Sequence, residues 1–154
     1  PNWIILIGFV RGGVTRGFCV GLVVTFTISF FVEIRPYSLP LLIATFFLTS
    51  VMFSLAGFIN AVFARTFDDV AIIPNFVLLP LTYLGGMFYS IDILPSFWRG
   101  LSAFNPIFYM MDSFRLGFLG IGSIELWKAF MVPLVMIILL GIRFNDFKVL
   151  KEVK

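Results

Sequence analysis

Few side chains in this sequence could do acid–base or metal chemistry, and they stand far apart. There is no histidine, and Cys19 is the single cysteine. The adjacent carboxylates Asp68 and Asp69 invite comparison with a metal site, but neighbours on a turn point in different directions and no third ligand is near. Capping of the following helix by Asp69 is the better interpretation. Asp112 and Arg115 stand three apart in YMMDSFR, so on a helix they would share a face and could pair.

The motifs of common enzymes are missing from the sequence. There is no HExxH, no GxSxG and no phosphate-binding GxxxxGK[ST] loop. We therefore expect no catalytic residue, no metal site and no cofactor bound by this chain. One cysteine cannot form a disulfide within the chain. The basic residues show no nucleic-acid pattern, so nucleic acid is not expected among the partners.

The composition is that of a membrane protein. Of the 154 residues, 60% are hydrophobic and 12% are charged, whereas soluble domains carry roughly 25% charged residues. The chain is therefore an integral membrane protein in contact with membrane lipid. We expect an all-α fold with about four transmembrane helices, since helices satisfy their own backbone hydrogen bonds in lipid.

The stretch from Pro74 to Arg115 organises the rest of the chain. It begins as an uncharged run between Asp69 and Asp92, and such a run can cross a bilayer because about 20 apolar residues suffice. Aromatic, proline-punctuated sequence then replaces the usual polar loop. One interpretation of residues 91–121 is a re-entrant pair of short helices at the outer membrane face, whose backbone is satisfied by protein. The alternative is an ordinary loop with an amphipathic surface helix.

Four spans are predicted around this stretch. They cover residues 14–32, 40–64, 70–90 and 126–142. The apolar run within residues 1–13 is too short to cross a membrane, and Gly12-Gly13 is expected to interrupt the chain there. A polar, basic tail follows at residues 143–154.

Small residues and prolines should shape two of these spans. The second span carries small residues at spacings of three and four: Ser50, Ser54, Gly57 and Ala61. Helix packing is the favoured interpretation of this stripe, with a pathway role as the alternative. Asn60 could hydrogen-bond across helices. In the third span, Pro80 should produce a kink and free a carbonyl near residue 76, which would need a partner from a neighbouring helix.

The basic residues predict the orientation. With the C-terminus inside, seven of them are cytoplasmic, and four are spread over longer connections outside. The seven are Arg11, Arg16, Arg65, Arg143, Lys148, Lys151 and Lys154. The positive-inside rule favours this arrangement. Because an arginine at the bilayer centre costs about 2.5–3.5 kcal/mol on insertion scales, Arg11 and Arg16 should lie at the membrane surface.

The central stretch also resembles the C-terminal half of a type-2 ABC exporter permease (ABC-2 type transporter). The residues that carry the resemblance are Leu79-Pro80-Leu81, Leu84-Gly85-Gly86 followed by Phe88-Tyr89, Leu94-Pro95, and Asn105-Pro106 with Tyr109, Asp112 and Arg115. Members of that family usually have six spans. The resemblance therefore implies a fragment or truncated product of a six-helix permease, lacking an N-terminal portion with about two spans.

The resemblance also implies a function. It implies a permease, as a homodimer in the bacterial inner membrane, that exports amphipathic, drug-like, lipid-linked or polysaccharide compounds. A separate ABC nucleotide-binding ATPase would bind ATP and magnesium and drive export. Residues 1–13 would form a cytoplasmic coupling region, in which Trp3, Arg11 and Arg16 contact the ATPase. The implied outer gate consists of Pro80, Gly85, Gly86, Pro95, Asn105, Pro106, Tyr109, Asp112 and Arg115.

Two other functions are compatible with the residues. One is a passive channel or an ion-coupled carrier, and the other is a structural or assembly membrane protein without transport. Ion coupling usually places ionisable residues within spans. The predicted spans have none away from their ends, which counts against a proton- or sodium-driven carrier.

Overall fold

The described part of the chain is helical. The computed structural model describes residues 2–89 and 93–152, and the side chains of residues 4–89 and 93–143. These ranges contain no strand. The helices are α1 (Asn2–Ser29), α2 (Leu39–Phe63), α3 (Phe67–Ile72), a π-helical segment (Ile73–Leu78), α4 (Leu79–Leu84), α5 (Ser96–Ala103), α6 (Pro106–Leu119) and α7 (Leu126–Glu152). The predicted all-α class is confirmed.

Within these ranges, four helical segments are long and apolar enough to cross a membrane. They are Ile4–Ser29, Leu39–Phe63, Phe67–Leu84 and Leu126–Arg143. Many of their large apolar side chains are exposed, which lipid tolerates and water does not. The prediction of about four spans is confirmed.

Helix α1 runs without a break through Gly12 and Gly13, so the predicted interruption at this pair is wrong. A glycine inside a helix costs about 1 kcal/mol relative to alanine. Such a cost is small enough for packing against α2 to offset, and the helix persists. Gly13 is needed for close contact, because a Cβ on it would lie 2.1 Å from Oγ of Ser54 in α2.

Helices α1 and α2 pack antiparallel through small residues. The contact pairs, in order along α1, are Phe9 with Phe58, Gly13 with Ser54, Gly17 with Ser50 and Gly21 with Phe46. Small residues let helix backbones approach closely in lipid. The serines of the predicted stripe on α2 therefore serve helix packing. Their partners, the glycines spaced four apart on α1, were not recognised in the sequence.

The turn before α3 is stabilised by a capping box. Thr66 is the N-cap, and its hydroxyl accepts a hydrogen bond from the backbone N–H of Asp69. The Asp69 carboxylate accepts from the backbone N–H groups of Arg65 and Thr66, each at 3.0 Å. The predicted capping role of Asp69 is confirmed.

The third span is distorted over a π-helical segment that begins before Pro80. Pro74 has no N–H, which leaves the Val70 carbonyl without its donor four residues on. The Nδ2 group of Asn60 in α2 donates to this carbonyl at 3.0 Å. A neighbouring helix thus satisfies a carbonyl freed by proline, at Val70, and the predicted interhelical bond of Asn60 is confirmed.

The helix of the third span ends at Leu84, earlier than the predicted limit at residue 90. Gly86 has a φ of 79°, a conformation that glycine adopts without steric cost, and it follows directly on the helix end. Residues 90–92 lie outside the described residues.

Candidate functional site

Helices α5 and α6 form a hairpin of two short helices after the third span, and the re-entrant placement of residues 91–121 stays a prediction. Helix α6 contacts α2 and α7. Near its C-terminal end, the Gly117 carbonyl accepts a hydrogen bond from Ser38 N–H at 3.0 Å, and a Cβ on Gly117 would lie 2.5 Å from Leu42. One turn earlier, Phe114 meets Phe46 with ring centroids 6.1 Å apart. Helix α6 therefore runs antiparallel to α2, and its N-terminal end points toward the middle of the bundle.

Asn105 and Pro106 start α6 at this inner end. The Asn105 side chain is the N-cap and accepts from Ile107 N–H at 3.0 Å, and Pro106 occupies the first turn. Proline fits there because its missing N–H would have no intrahelical partner. The Nδ2 group of Asn105 also donates to the Leu81 carbonyl of α4 at 2.6 Å. One buried amide thus caps α6 and ties it to the third span.

All four terminal carbonyls of α4 have donors. The last four carbonyls of a helix have no donor within the helix. Here Leu81 accepts from Asn105, Thr82 from the N–H of Gly85, Tyr83 from the Tyr89 hydroxyl and Leu84 from the Ser102 hydroxyl. Ser102 in α5 is fully buried. The hairpin therefore supplies two of the four donors, and the helix end is saturated without water.

Arg115 extends these contacts to the turn that follows α4. Its guanidinium donates to the Gly86 carbonyl at 3.0 Å. Gly85 packs closely on the hairpin, because a Cβ there would lie 3.0 Å from Cγ2 of Ile107. We call the three hairpin side chains that bond to these carbonyls, Ser102, Asn105 and Arg115, the carbonyl cap.

Asp112 does not pair with Arg115, so the predicted ion pair is wrong. Asp112 is 3% exposed. Its carboxylate accepts from the backbone N–H groups of Ser123, at 3.0 and 3.1 Å, and Ile124, at 3.1 Å. These loop N–H groups satisfy the buried carboxylate on one side of α6, while the guanidinium reaches the Gly86 carbonyl instead.

A cluster of exposed polar side chains marks the start of α7. Glu125 accepts a hydrogen bond from the Trp127 indole and pairs with Lys128 at 3.3 Å. The Trp127 hydrogen bond, followed by the hydrogen bond and charge of Lys128, holds the pKa of Glu125 below its ordinary value. The Lys128 ammonium also lies 5.3 Å from the Trp127 ring centre. An indole with a lysine beside it is typical of a membrane–water interface.

The structure brings together only part of the residue set implied for the outer gate. Gly85, Gly86, Asn105 and Arg115 meet at the end of α4. The others serve the helices locally or lie apart: Pro95 is the N-cap of α5, the Tyr109 hydroxyl donates to the Ala103 carbonyl, Pro80 is exposed, and Asp112 binds the loop before α7. Ser102 and Tyr89 were missed. Neither a single serine nor a single tyrosine in apolar sequence has a local pattern that would have revealed these contacts.

The residues implied for coupling are all in α1. Arg11 and Arg16 are exposed, and the side chain of Trp3 lies outside the described residues. Arg16 precedes Gly17, which faces Ser50 near the middle of α2. The placement of these arginines at the membrane surface stays a prediction, and it requires the Arg16 side chain to extend along the helix toward that surface.

Apolar spans joined to a short helical hairpin with a saturated helix end define a polytopic, all-helical membrane protein. Residues 1–119 match the family model described as ABC-2 type transporter. The chain belongs to this family, which confirms the resemblance.

Among individual proteins, the chain is similar to the inner membrane transport permease YadH of Escherichia coli K12. The two are 52% identical over 138 residues, which is 90% of this chain and 54% of YadH. YadH proteins of E. coli O157:H7 and Shigella flexneri match to the same extent. The chain thus spans about half the length of the curated relatives it matches. No solved structure matches it.

Proposed function

We propose that the chain is part of the transmembrane permease of an ATP-driven exporter in the bacterial inner membrane. The observation that carries this proposal is the hairpin of α5 and α6, whose carbonyl cap saturates the end of the third span. Non-helical backbone at membrane depth is tolerated where protein satisfies it or where it lines a cavity. The ABC-2 family and the similarity to YadH, an inner membrane transport permease, support the same function.

A separate subunit would supply the energy. The sequence has no phosphate-binding GxxxxGK[ST] loop, so this chain would not hydrolyse ATP by itself. An ABC nucleotide-binding ATPase would hold ATP and magnesium, and a second permease copy would complete the transport path as a homodimer. The family assignment supports the ATPase partner.

Helix α1 is suited to carry movement from the ATPase into the membrane. The coupling region near Trp3, Arg11 and Arg16 would dock on the ATPase at the cytoplasmic face. Because α1 is one uninterrupted helix over Asn2–Ser29, displacement of its first turns would move the whole helix. The contacts of Gly13, Gly17 and Gly21 would pass that movement to α2.

The hairpin would act as the outer gate. The positive-inside rule predicts that the end of the hairpin next to Ser38 lies on the outer side of the membrane. The carbonyl cap joins the hairpin to the third span, so the hairpin and the span would move together. Large side chains on α5 and the following turn are exposed: Phe97, Trp98, Leu101 and Phe104. Such a surface suits an amphipathic, drug-like, lipid-linked or polysaccharide cargo, since sugars and apolar groups both pack on aromatic rings.

Reconstitution of the permease with its ATPase tests the proposal. We expect the permease to stimulate ATP hydrolysis, and Asn105→Ala to lower transport at least several-fold because the Leu81 carbonyl loses its donor. Thr49→Val, which removes a hydroxyl bonded to the Thr45 carbonyl within α2, is the matched control and should transport normally. Transport that proceeds without ATP would instead identify a passive channel, and the absence of both stimulation and transport would indicate an assembly protein.

A further inference from the structure

The connection from α1 to α2 begins by folding back onto the end of α1. The N–H groups of Phe31 and Val32 donate to the Ile28 carbonyl at 2.9 and 3.0 Å, and Phe30 N–H donates to the Thr27 carbonyl at 3.3 Å. The last carbonyls of a helix need donors from outside its regular hydrogen bonds, and these residues supply them. Val32 is therefore attached to the end of α1 and should move with that helix.

The same connection ends on α6. Tyr37 N–H donates to the Phe118 carbonyl at 3.4 Å, and Ser38 N–H donates to the Gly117 carbonyl at 3.0 Å. The Tyr37 ring also lies against Gly120, where φ is 71° and a Cβ would lie 3.0 Å from the ring. The two carbonyls belong to the last turn of α6, so they have no donor within that helix. Tyr37 and Ser38 therefore attach the connection to the C-terminal end of the hairpin.

Four residues, which we call the linker, join these two attached ends: Glu33, Ile34, Arg35 and Pro36. Five peptide units separate Val32 from Tyr37, so their Cα atoms cannot lie more than about 18 Å apart. The ring of Pro36 fixes its own φ and restricts Arg35 to extended backbone. A linker this short, with two restricted residues, has limited slack. A displacement of the end of α1 should therefore be carried to the end of α6.

The linker gives α1 a direct connection to the hairpin that helix packing does not provide. Helix α1 packs on α2, whereas α6 packs chiefly on α2 and α7. The linker follows the end of α1 that lies opposite to the predicted coupling region. Because α1 is one uninterrupted helix of 28 residues, which is about 42 Å long, it extends from that region to the linker.

We propose that the linker transmits displacement of α1 to α6, and that Tyr37 and Ser38 are the residues that hold the linker on the hairpin. A shift of α1 along its axis would pull or release the C-terminal end of α6. At the N-terminal end of α6, Asn105 bonds to the Leu81 carbonyl, so a tilt of α6 would act on the third span. The inference rests on the proposed function, since it takes the ATPase to displace α1.

Lengthening of the linker tests this route in the permease reconstituted with its ATPase. Insertion of Gly-Ser-Gly between Arg35 and Pro36 leaves the residues of both attached ends unchanged and adds up to about 11 Å of reach. Longer loops cost little stability. We therefore expect the variant to fold and to stimulate ATP hydrolysis, while the amount of cargo transported per ATP hydrolysed falls several-fold.

The same insertion between Ala64 and Arg65, in the turn from α2 to α3, is the matched control. It should keep transport per ATP close to that of wild type. Unchanged transport per ATP in the linker variant, or an equal loss in the control, would overturn the inference. The absence of ATP-dependent transport in wild type would instead contradict the proposed function itself.

Substitutions of Tyr37 give a second measurement in which the linker keeps its length. Tyr37→Phe keeps the ring against Gly120 and should transport as much per ATP as wild type. Tyr37→Ala removes the ring, and we expect it to lower transport per ATP while ATP hydrolysis is still stimulated. Hydrolysis and transport that fall in the same proportion in Tyr37→Ala would indicate a structural role alone and would also overturn the inference.

Discussion

Asp112 and Arg115 bind different parts of the molecule although they stand only three positions apart in α6. The carboxylate binds the N–H groups of Ser123 and Ile124, and the guanidinium binds the Gly86 carbonyl. Spacing along a helix could show only that the two side chains might meet. Each side chain instead bonds to backbone groups that would otherwise lack a hydrogen-bond partner. Which backbone groups lie within reach is determined by the tertiary structure.

Independence of the two residues is testable by a double-mutant cycle. Asp112→Ala leaves loop N–H groups without an acceptor and should cost about 1–3 kcal/mol, and Arg115→Ala should cost a comparable amount. Because they share no partner, we expect the two effects to add within about 0.5 kcal/mol. Equilibrium unfolding in detergent measures this. A coupling energy well above that value would restore the ion pair.

The pH response of the α7 start follows from Glu125. Its pKa is lowered in the folded protein by the Trp127 hydrogen bond and then by Lys128, so the folded state favours the ionised carboxylate. This contribution is present above the ordinary pKa of a glutamate and is lost as the pH falls through the lowered value. We expect wild type to lose slightly more thermal stability than Glu125→Gln between pH 6 and pH 3. These two pH values lie about a unit or more above and below the ordinary pKa of a glutamate. Parallel melting curves for the two proteins would contradict this.

Glycine spacing governs the packing of α1 on α2. Gly12 and Gly13 are adjacent, but a Cβ on Gly13 meets Ser54 at 2.1 Å, whereas a Cβ on Gly12 meets nothing within 4 Å. Gly13→Ala should therefore destabilise the protein, by about 1–3 kcal/mol for overpacking. Gly12→Ala is the matched control and should be neutral or stabilising by up to about 1 kcal/mol, through helix propensity.

Thermal unfolding of both variants, with Gly13→Ala/Ser54→Gly as a rescue, measures this difference. Removal of the Ser54 side chain frees the space that the new methyl group needs, so part of the stability should return. Equal effects of the two single substitutions would mean that helix propensity, and not the contact with α2, determines the result.

Sequence patterns predicted some features of the spans and of the hairpin and missed others. Apolar run length and flanking charges predicted the number of spans, because lipid requires long uninterrupted apolar helices, although the first helical segment begins at Ile4 and not at residue 14. The early end of the third span at Leu84 and the π-helical segment were not predicted. The carbonyls at the end near Leu84 receive donors from the hairpin, and the Val70 carbonyl before the π-helical segment receives one from Asn60; both sets of bonds are tertiary contacts that sequence patterns do not show. The hairpin was predictable as two short helices, but its attachment through Ser102 was not, since a single serine has no distinctive local pattern.

At the scale of the whole molecule, the positive-inside rule predicts the orientation of the bundle. The Ser38 end carries the loop before α7, and the opposite end carries Arg65. Cysteines are placed at two exposed positions, Ile121→Cys and Arg65→Cys, in the Cys19→Ser background. In intact cells, an impermeant maleimide should label the first and leave the second unlabelled until the membrane is broken. The reverse pattern would invert the topology and move the hairpin to the cytoplasmic side.

The position of α6 between α2 and α7 sets an order of assembly during synthesis. The third span leaves the ribosome before the hairpin that saturates its end, and α7 leaves after both. Until α7 is inserted, α6 lacks one of the two helices it packs on, and the Asp112 carboxylate lacks the loop that follows. Helix α7 therefore completes the docking of the hairpin only once it is inserted, whereas a chain terminated before the hairpin would leave the end of the third span without the donors of the carbonyl cap.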